Sequence, residues 1–261
     1  MRTVSAIKNI NSTLIVYGFN MVLQFIIRFV LLYYLSIEYL GLNGLFDNIL
    51  TVLSLTELGI GPAIIFSLYA PLANHDLDTA KSIMRIFKKA YIYIGTLILF
   101  LGLCISPFVQ HLIKVPPNIA YLNIFFLLFV VDTGISYFYS YKKCLLIADQ
   151  KQYIANYYRG ITQLIGSLFQ IALVILTHSF WVYIILRICM TFSENFLIAR
   201  KADHLYSFLN EKNIQPLNKD IYQSIIRNIK ALILHKIGGV TVFGTSNIIL
   251  SKFVGLSAVA L

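Results

Sequence analysis

The chain has 261 residues, of which 58% are apolar and 12% charged, and it carries a net charge of +10. Soluble domains carry about a quarter charged residues, so this balance excludes a disordered chain, a disulfide scaffold and a nucleic-acid module, and it argues against a soluble enzyme. The apolar residues stand in blocks of the roughly 20 that a helix needs to cross a bilayer, which predicts an all-α polytopic membrane bundle of about seven transmembrane helices.

In chain order the spans are predicted at 13–35, 39–69, 90–113, 119–140, 157–177, 180–200 and 230–252. The first is too long for a signal-peptide core and has no small-residue cleavage site behind it. The second is longer than a straight crossing requires, so it is tilted, broken or extended beyond the bilayer. Tight connections at Ser36-Ile37-Glu38, Lys114 to Asn118 and Thr177-His178-Ser179 alternate with longer polar linkers at 70–89, 141–156 and 201–229. Sixteen Lys and Arg fall with the N-terminus and the long linkers, against only Lys114 and Lys252 on the other side. The positive-inside rule therefore places the N-terminus and every long linker in the cytoplasm, with the chain in the cell membrane.

The linkers hold two amphipathic stretches, 80–90 and 219–230. Each reads either as a helix in the headgroup layer, where anionic lipid attracts Lys and Arg, or as an extension of the adjoining membrane helix. Asp76 and Asp78 read as acids at the start of the first stretch. Cys104, Cys144 and Cys189 lack any paired spacing for a disulfide or metal framework and read as small buried apolar residues.

Ionisable residues inside the spans are the main functional signal, because each costs about 2.5–3.5 kcal/mol at mid-helix. At about 1.5 Å per residue, Arg28, Asp47 and Arg187 share a depth below the tight-connection side. Glu194, Lys236 and Asp132 form a second layer toward the long-linker side, and Glu57 lies beyond the middle of span two. The functional reading is a polar cavity in which Arg28, Arg187 and Lys236 bind an anionic headgroup, with Asp47, Glu57, Asp132 and Glu194 taking a coupling cation or forming ion pairs. The structural reading pairs Arg28 with Asp47 and Lys236 with Glu194; Arg187 has no obvious partner. Backbone breaks are predicted at Gly59, Gly61 and Pro62 beside Glu57, and at Gly238-Gly239 beside Lys236, as at a transporter hinge or as close helix packing. No Walker loop, dinucleotide fingerprint, metal cluster or nucleophile motif is present in the sequence, so neither covalent chemistry nor a cofactor is expected.

The strings LGLNGLF (Leu40–Phe46) and ELGIGPAIIFSLYAPLA (Glu57–Ala73) resemble the span-two region of Wzx-type polysaccharide flippases of Gram-positive bacteria, in the multidrug/oligosaccharidyl-lipid/polysaccharide exporter superfamily. SYKKCLLIADQKQYI (Ser140–Ile154) is similar to their second cytoplasmic loop, and Ala231–Leu261 to the start of their second half. That family has two six-helix lobes in a chain nearly twice as long. The resemblance therefore implies lobe one at 1–229 and the first helix of an incomplete lobe two at 230–261. An internal echo fits this: LSIEYLGL (Leu35–Leu42) against VGLSAVAL (Val254–Leu261).

By resemblance, the substrate is an undecaprenyl-pyrophosphate-linked oligosaccharide moved from the inner to the outer leaflet, with membrane lipids, a glycan polymerase and glycosyltransferases as partners and no nucleic acid. Two alternatives stay open. One is a cation-coupled drug exporter of the same superfamily, favoured by the carboxylates of the inner layer. The other is a truncated, non-transporting scaffold of a glycan-export complex.

Overall fold

In the computed structural model of the chain, residues 2–57, 59–114, 119, 121–211, 216–243 and 245–260 are described, without the side chains of 2, 55, 56, 210, 233–243 and 260. The described residues are predominantly helical, with no strand among them: an all-α bundle. Its helices are α1 (Arg2–Tyr34), α2 (Ile37–Leu53), α3 (Ile60–Ala73), α4 (Leu77–Ile105), α5 (Leu122–Ala148), α6 (Gln152–Thr177), α7 (Phe180–Leu205), α8 (Lys219–Phe243), α9 (Ser246–Phe253) and α10 (Leu256–Ala260). Five of them (α1, α4 with the 3-10 turn after it, α5, α6 and α7) are long and apolar enough to cross a membrane. The other two expected spans fall on α2–α3 and on α8–α9.

Large apolar side chains cover the outside as well as the inside. Along α1, Leu14, Ile15, Met21, Val22, Phe25 and Phe29 are all exposed. A water-soluble monomer rarely shows so continuous an apolar patch, whereas a helix facing lipid gains from it. Cys104 and Cys189 also lie on this exposed surface and only Cys144 is buried, so the expected burial applies to one cysteine of three.

Two packed cores run through the bundle. One joins Leu42, Leu45 and Phe46 of α2 to Phe125, Phe126 and Phe129 of α5 and Phe180 and Ile184 of α7. The second joins Ile64 and Leu68 of α3 to Ile83, Phe87 and Tyr91 of α4, Leu145 of α5 and Ile198 of α7. Helix α1 packs on α6. There Asn9 bridges two groups at the start of α6, donating to the Gln150 carbonyl (2.9 Å) and accepting from the Tyr153 amide (2.8 Å). One turn on, Asn156 donates to Ser12 and Thr13.

Both amphipathic linker stretches prove to be extensions of long helices, since α4 and α8 each run unbroken through them. Asp76 caps α4, accepting from the Thr79 amide at 3.0 Å. The boundary expected between 229 and 230 falls inside α8. The two echoing segments meet: α10 lies on α2, so close that a Cβ on Gly41 would collide with the Leu256 carbonyl.

Span two does break, at Gly59 and not at the other two expected positions, Gly61 and Pro62. Helix α2 ends at Leu53, a 3-10 turn covers Ser54–Glu57, and Gly59 takes a left-handed φ of 77° before α3 begins. Pro62 sits in the first turn of α3, where an amide has no intrahelical acceptor, so its missing donor costs nothing. Gly59 carries the break, and its lack of a side chain also admits Leu232 of α8. No break occurs at Gly238-Gly239: α8 is continuous through both, and their packing surroundings lie outside the described residues.

Candidate functional site

The central polar feature is built on Arg187 of α7. Its Nη2 lies 2.7 Å from Asp47 Oδ1 of α2 and its Nε lies 2.9 Å from Asp132 Oδ2 of α5. Nη1 donates to Asn43 Oδ1 at 3.1 Å, and Asn43 also accepts from the Tyr183 hydroxyl. The guanidinium face stands 4.4 Å from the centre of the Phe129 ring. Arginine suits this position because its rigid fork serves several acceptors at once and stacks on an aromatic face.

Arg187 was expected to lack a partner, and the structure corrects that: two carboxylates neutralise it. Asp132 was expected in the other layer, by counting eight residues to an inner end at Ser140. Helix α5 instead continues to Ala148, which puts Asp132 near mid-helix and level with Arg187. Asp47, expected opposite Arg28, is engaged by Arg187. With both carboxylates ionised the cluster carries one net negative charge, so the structure gives no open cationic receptor at Arg187.

Beside the cluster lies a cavity of about 270 Å³, lined by Asp47, Asp132 and Arg187 together with Gln24 of α1, Gln163 and Gln170 of α6, Tyr183, Met190 and Thr191. Asp132 is 5% exposed, and its Oδ1 is buried with no hydrogen-bond partner among the described residues. Gln170 donates to the Tyr183 carbonyl at 2.9 Å, which ties α6 to α7 at the cavity wall.

The remaining expected site residues divide. Arg28 is exposed on α1 one turn beyond Gln24 and has its own interaction; Gln24, not Arg28, lines the cavity. Glu194 accepts from Gln163 at 3.3 Å. Glu57, at the break in span two, accepts from the Tyr91 and Tyr137 hydroxyls, one on each carboxylate oxygen at 3.1 Å. Lys236 lies within α8, and its side chain is outside the described residues. No group of three or more His, Cys, Asp or Glu able to hold a metal occurs among the described residues.

Counting charges alone missed the neutral polar partners Gln24, Asn43, Gln163, Gln170 and Tyr183. A signal for three of them was in the spacing. Asn43 precedes Asp47, Tyr183 precedes Arg187 and Gln24 precedes Arg28, each by four residues, and i,i+4 places both members of a pair on one helix face. On α2 and α7, where the charged member joins the cluster, a polar amide or hydroxyl one turn away marks the face turned to the cavity; on α1 only Gln24 lines the cavity and Arg28 stays exposed.

No family model, no curated protein and no solved structure matches the chain.

Proposed function

We propose that the chain is a membrane transporter whose polar cavity between α1, α2, α5, α6 and α7 passes the hydrated part of an amphipathic substrate. The substrate is the lipid-linked oligosaccharide implied by the flippase-like motifs, and the N-terminus and long linkers lie in the cytoplasm. One observation carries the reading: a cavity lined by Gln24, Gln163, Gln170, Asp47 and Asp132 lies between helices that expose apolar side chains on their outer faces. Amide and carboxylate side chains bind sugar hydroxyls, while the prenyl tail stays in lipid.

The anionic end of such a substrate is not bound by Arg187, whose charge Asp47 and Asp132 already balance. Asp47, Asp132 and Arg187 serve instead to join α2, α5 and α7, and the extra negative charge suits a coupling proton or monovalent cation. This same excess favours the second reading, a cation-coupled exporter of cationic drugs.

The test uses the full chain in liposomes containing a fluorescent polyprenyl-diphosphate oligosaccharide. Faster quenching of the far-leaflet pool than in protein-free liposomes supports the flippase. Equal rates, together with dye efflux driven by a pH gradient, overturn it in favour of the drug exporter.

A further inference from the structure

A second cavity, of about 430 Å³, lies at the long-linker end of the bundle between α4, α5, α7 and the segment that follows α7. Its cations come mostly from one stripe of α4: Lys81, Arg85, Lys88 and Lys89, with Lys142 of α5 facing them. Residues 81, 85, 88 and 92 follow the spacing of a single helix face.

Two of these lysines hold the walls. Lys81 is buried and lies 2.6 Å from Glu211 and 3.2 Å from Asp78. Lys142 lies 2.6 Å from Asp203, whose second oxygen is buried. Arg85, Lys88 and Lys89 make no ion pair with any described carboxylate, and all three are exposed. Around the opening, five cations therefore meet three carboxylates, counting Asp78. Such an excess at a concave surface favours an anion of more than one charge.

The position says what carries that anion. Lys89 is the last charged residue of α4, and the stretch from Ala90 to Ile105 contains none. Ile92 lines the cavity and is 42% exposed, and Phe100 and Leu103 are exposed further along the same helix. A ligand seated here would have its charge among Arg85, Lys88 and Lys89 and its hydrocarbon on the outer face of α4.

We propose that this cavity binds the phosphate headgroup of an anionic lipid, with Arg85, Lys88 and Lys89 supplying charge-assisted hydrogen bonds to its oxygens. The site is independent of transport through the central cavity: a phosphorylated lipid would bind here in a protein that moves nothing.

The test places the full chain in nanodiscs containing phosphatidic acid and phosphatidylcholine, and lipid retained after detergent extraction is read by native mass spectrometry. Preferential retention of phosphatidic acid is expected, weakened about tenfold or more when R85Q, K88Q and K89Q are combined. The charge-preserving combination R85K, K88R and K89R is expected to retain it, as is Lys114→Gln at the opposite end. Displacement of the retained lipid by inorganic pyrophosphate would further support recognition through phosphate. No preference for phosphatidic acid, equal retention by the neutralised and charge-preserving proteins at equal helicity, or pyrophosphate binding without lipid retention would each overturn the proposal. Failure of the flipping assay would leave the result of this one unchanged.

Discussion

Arg187 of α7 and Asp47 of α2 stand 140 residues apart in sequence and 2.7 Å apart in space. With Asp132 on the guanidinium Nε, they join α2, α5 and α7. Asp132 is buried whereas Asp47 opens onto the polar cavity, so the cluster matters chiefly through the damage done by leaving Asp132 without its cation.

Arg187→Ala leaves Asp132 buried without a counter-ion while Asp47 is partly solvated, and the expected loss is up to about 3 kcal/mol of stability. Thermal unfolding in detergent measures it. Asp132→Asn keeps one carboxylate for the one cation, and its loss is expected to be clearly smaller. Equal unfolding temperatures for wild type and Arg187→Ala would show that the cluster does not join the helices.

Gly59→Ala meets two obstacles, a left-handed backbone and the Leu232 side chain of α8. A loss of roughly 1–3 kcal/mol is expected. Pro62→Ala, in the first turn of α3, is expected to change stability by less than about 1 kcal/mol. Reversal of that order would place the break at the proline after all.

Asn9 ties α1 to the start of α6 with both ends of its amide. Asn9→Ala is expected to cost about 1–2 kcal/mol and to speed hydrogen exchange at the Tyr153 amide, while Asn11→Ala leaves that amide protected. Unchanged exchange at Tyr153 in Asn9→Ala would exclude the clasp.

The Thr79 amide holds the Asp76 carboxyl below its ordinary 3.8. A depressed folded value means the ionised cap stabilises fully above the unfolded pKa, and the advantage is lost as pH falls through the folded one. Asp76→Ala is thus expected to cost about 1 kcal/mol at neutral pH, with the gap to wild type narrowing below pH 3.8. A gap that stayed constant down to pH 2 would rule out a contribution from the charge.

Much of the architecture was legible before any coordinates. Apolar blocks located the long helices, Ser36 and Thr177-His178-Ser179 marked tight turns, and Asp76 marked a helix start, because each is a local property of chain and solvent. The break in span two was legible as well, and of the three positions expected, Gly59, Gly61 and Pro62, only Gly59 carries it. Proline is a strong breaker only inside a helix, and the left-handed turn at Gly59 moved Pro62 into a first turn.

The pairing of the charges was not legible. Depth was counted from expected helix ends, and the unforeseen continuation of α5 to Ala148 put Asp132 closer to mid-helix than that count implied. Nor does one sequence state how helices are rotated about their axes, so Arg187 looked unpartnered while two carboxylates lay within reach. Asn43 and Tyr183 went unnoticed because neutral groups cost little to place and so stand out less.

The sequence alone determined that this chain is a helical bundle whose natural solvent is apolar on its outer face, since hydropathy and length act residue by residue. Tertiary structure alone decided which ionic groups meet. Side-chain encounters between distant helices depend on stagger, rotation and the 3-10 break at Ser54–Glu57, and these follow from packing the whole bundle at once. Those encounters leave Arg187 satisfied and Arg85, Lys88 and Lys89 facing an open cavity, although composition makes all four the same kind of charge.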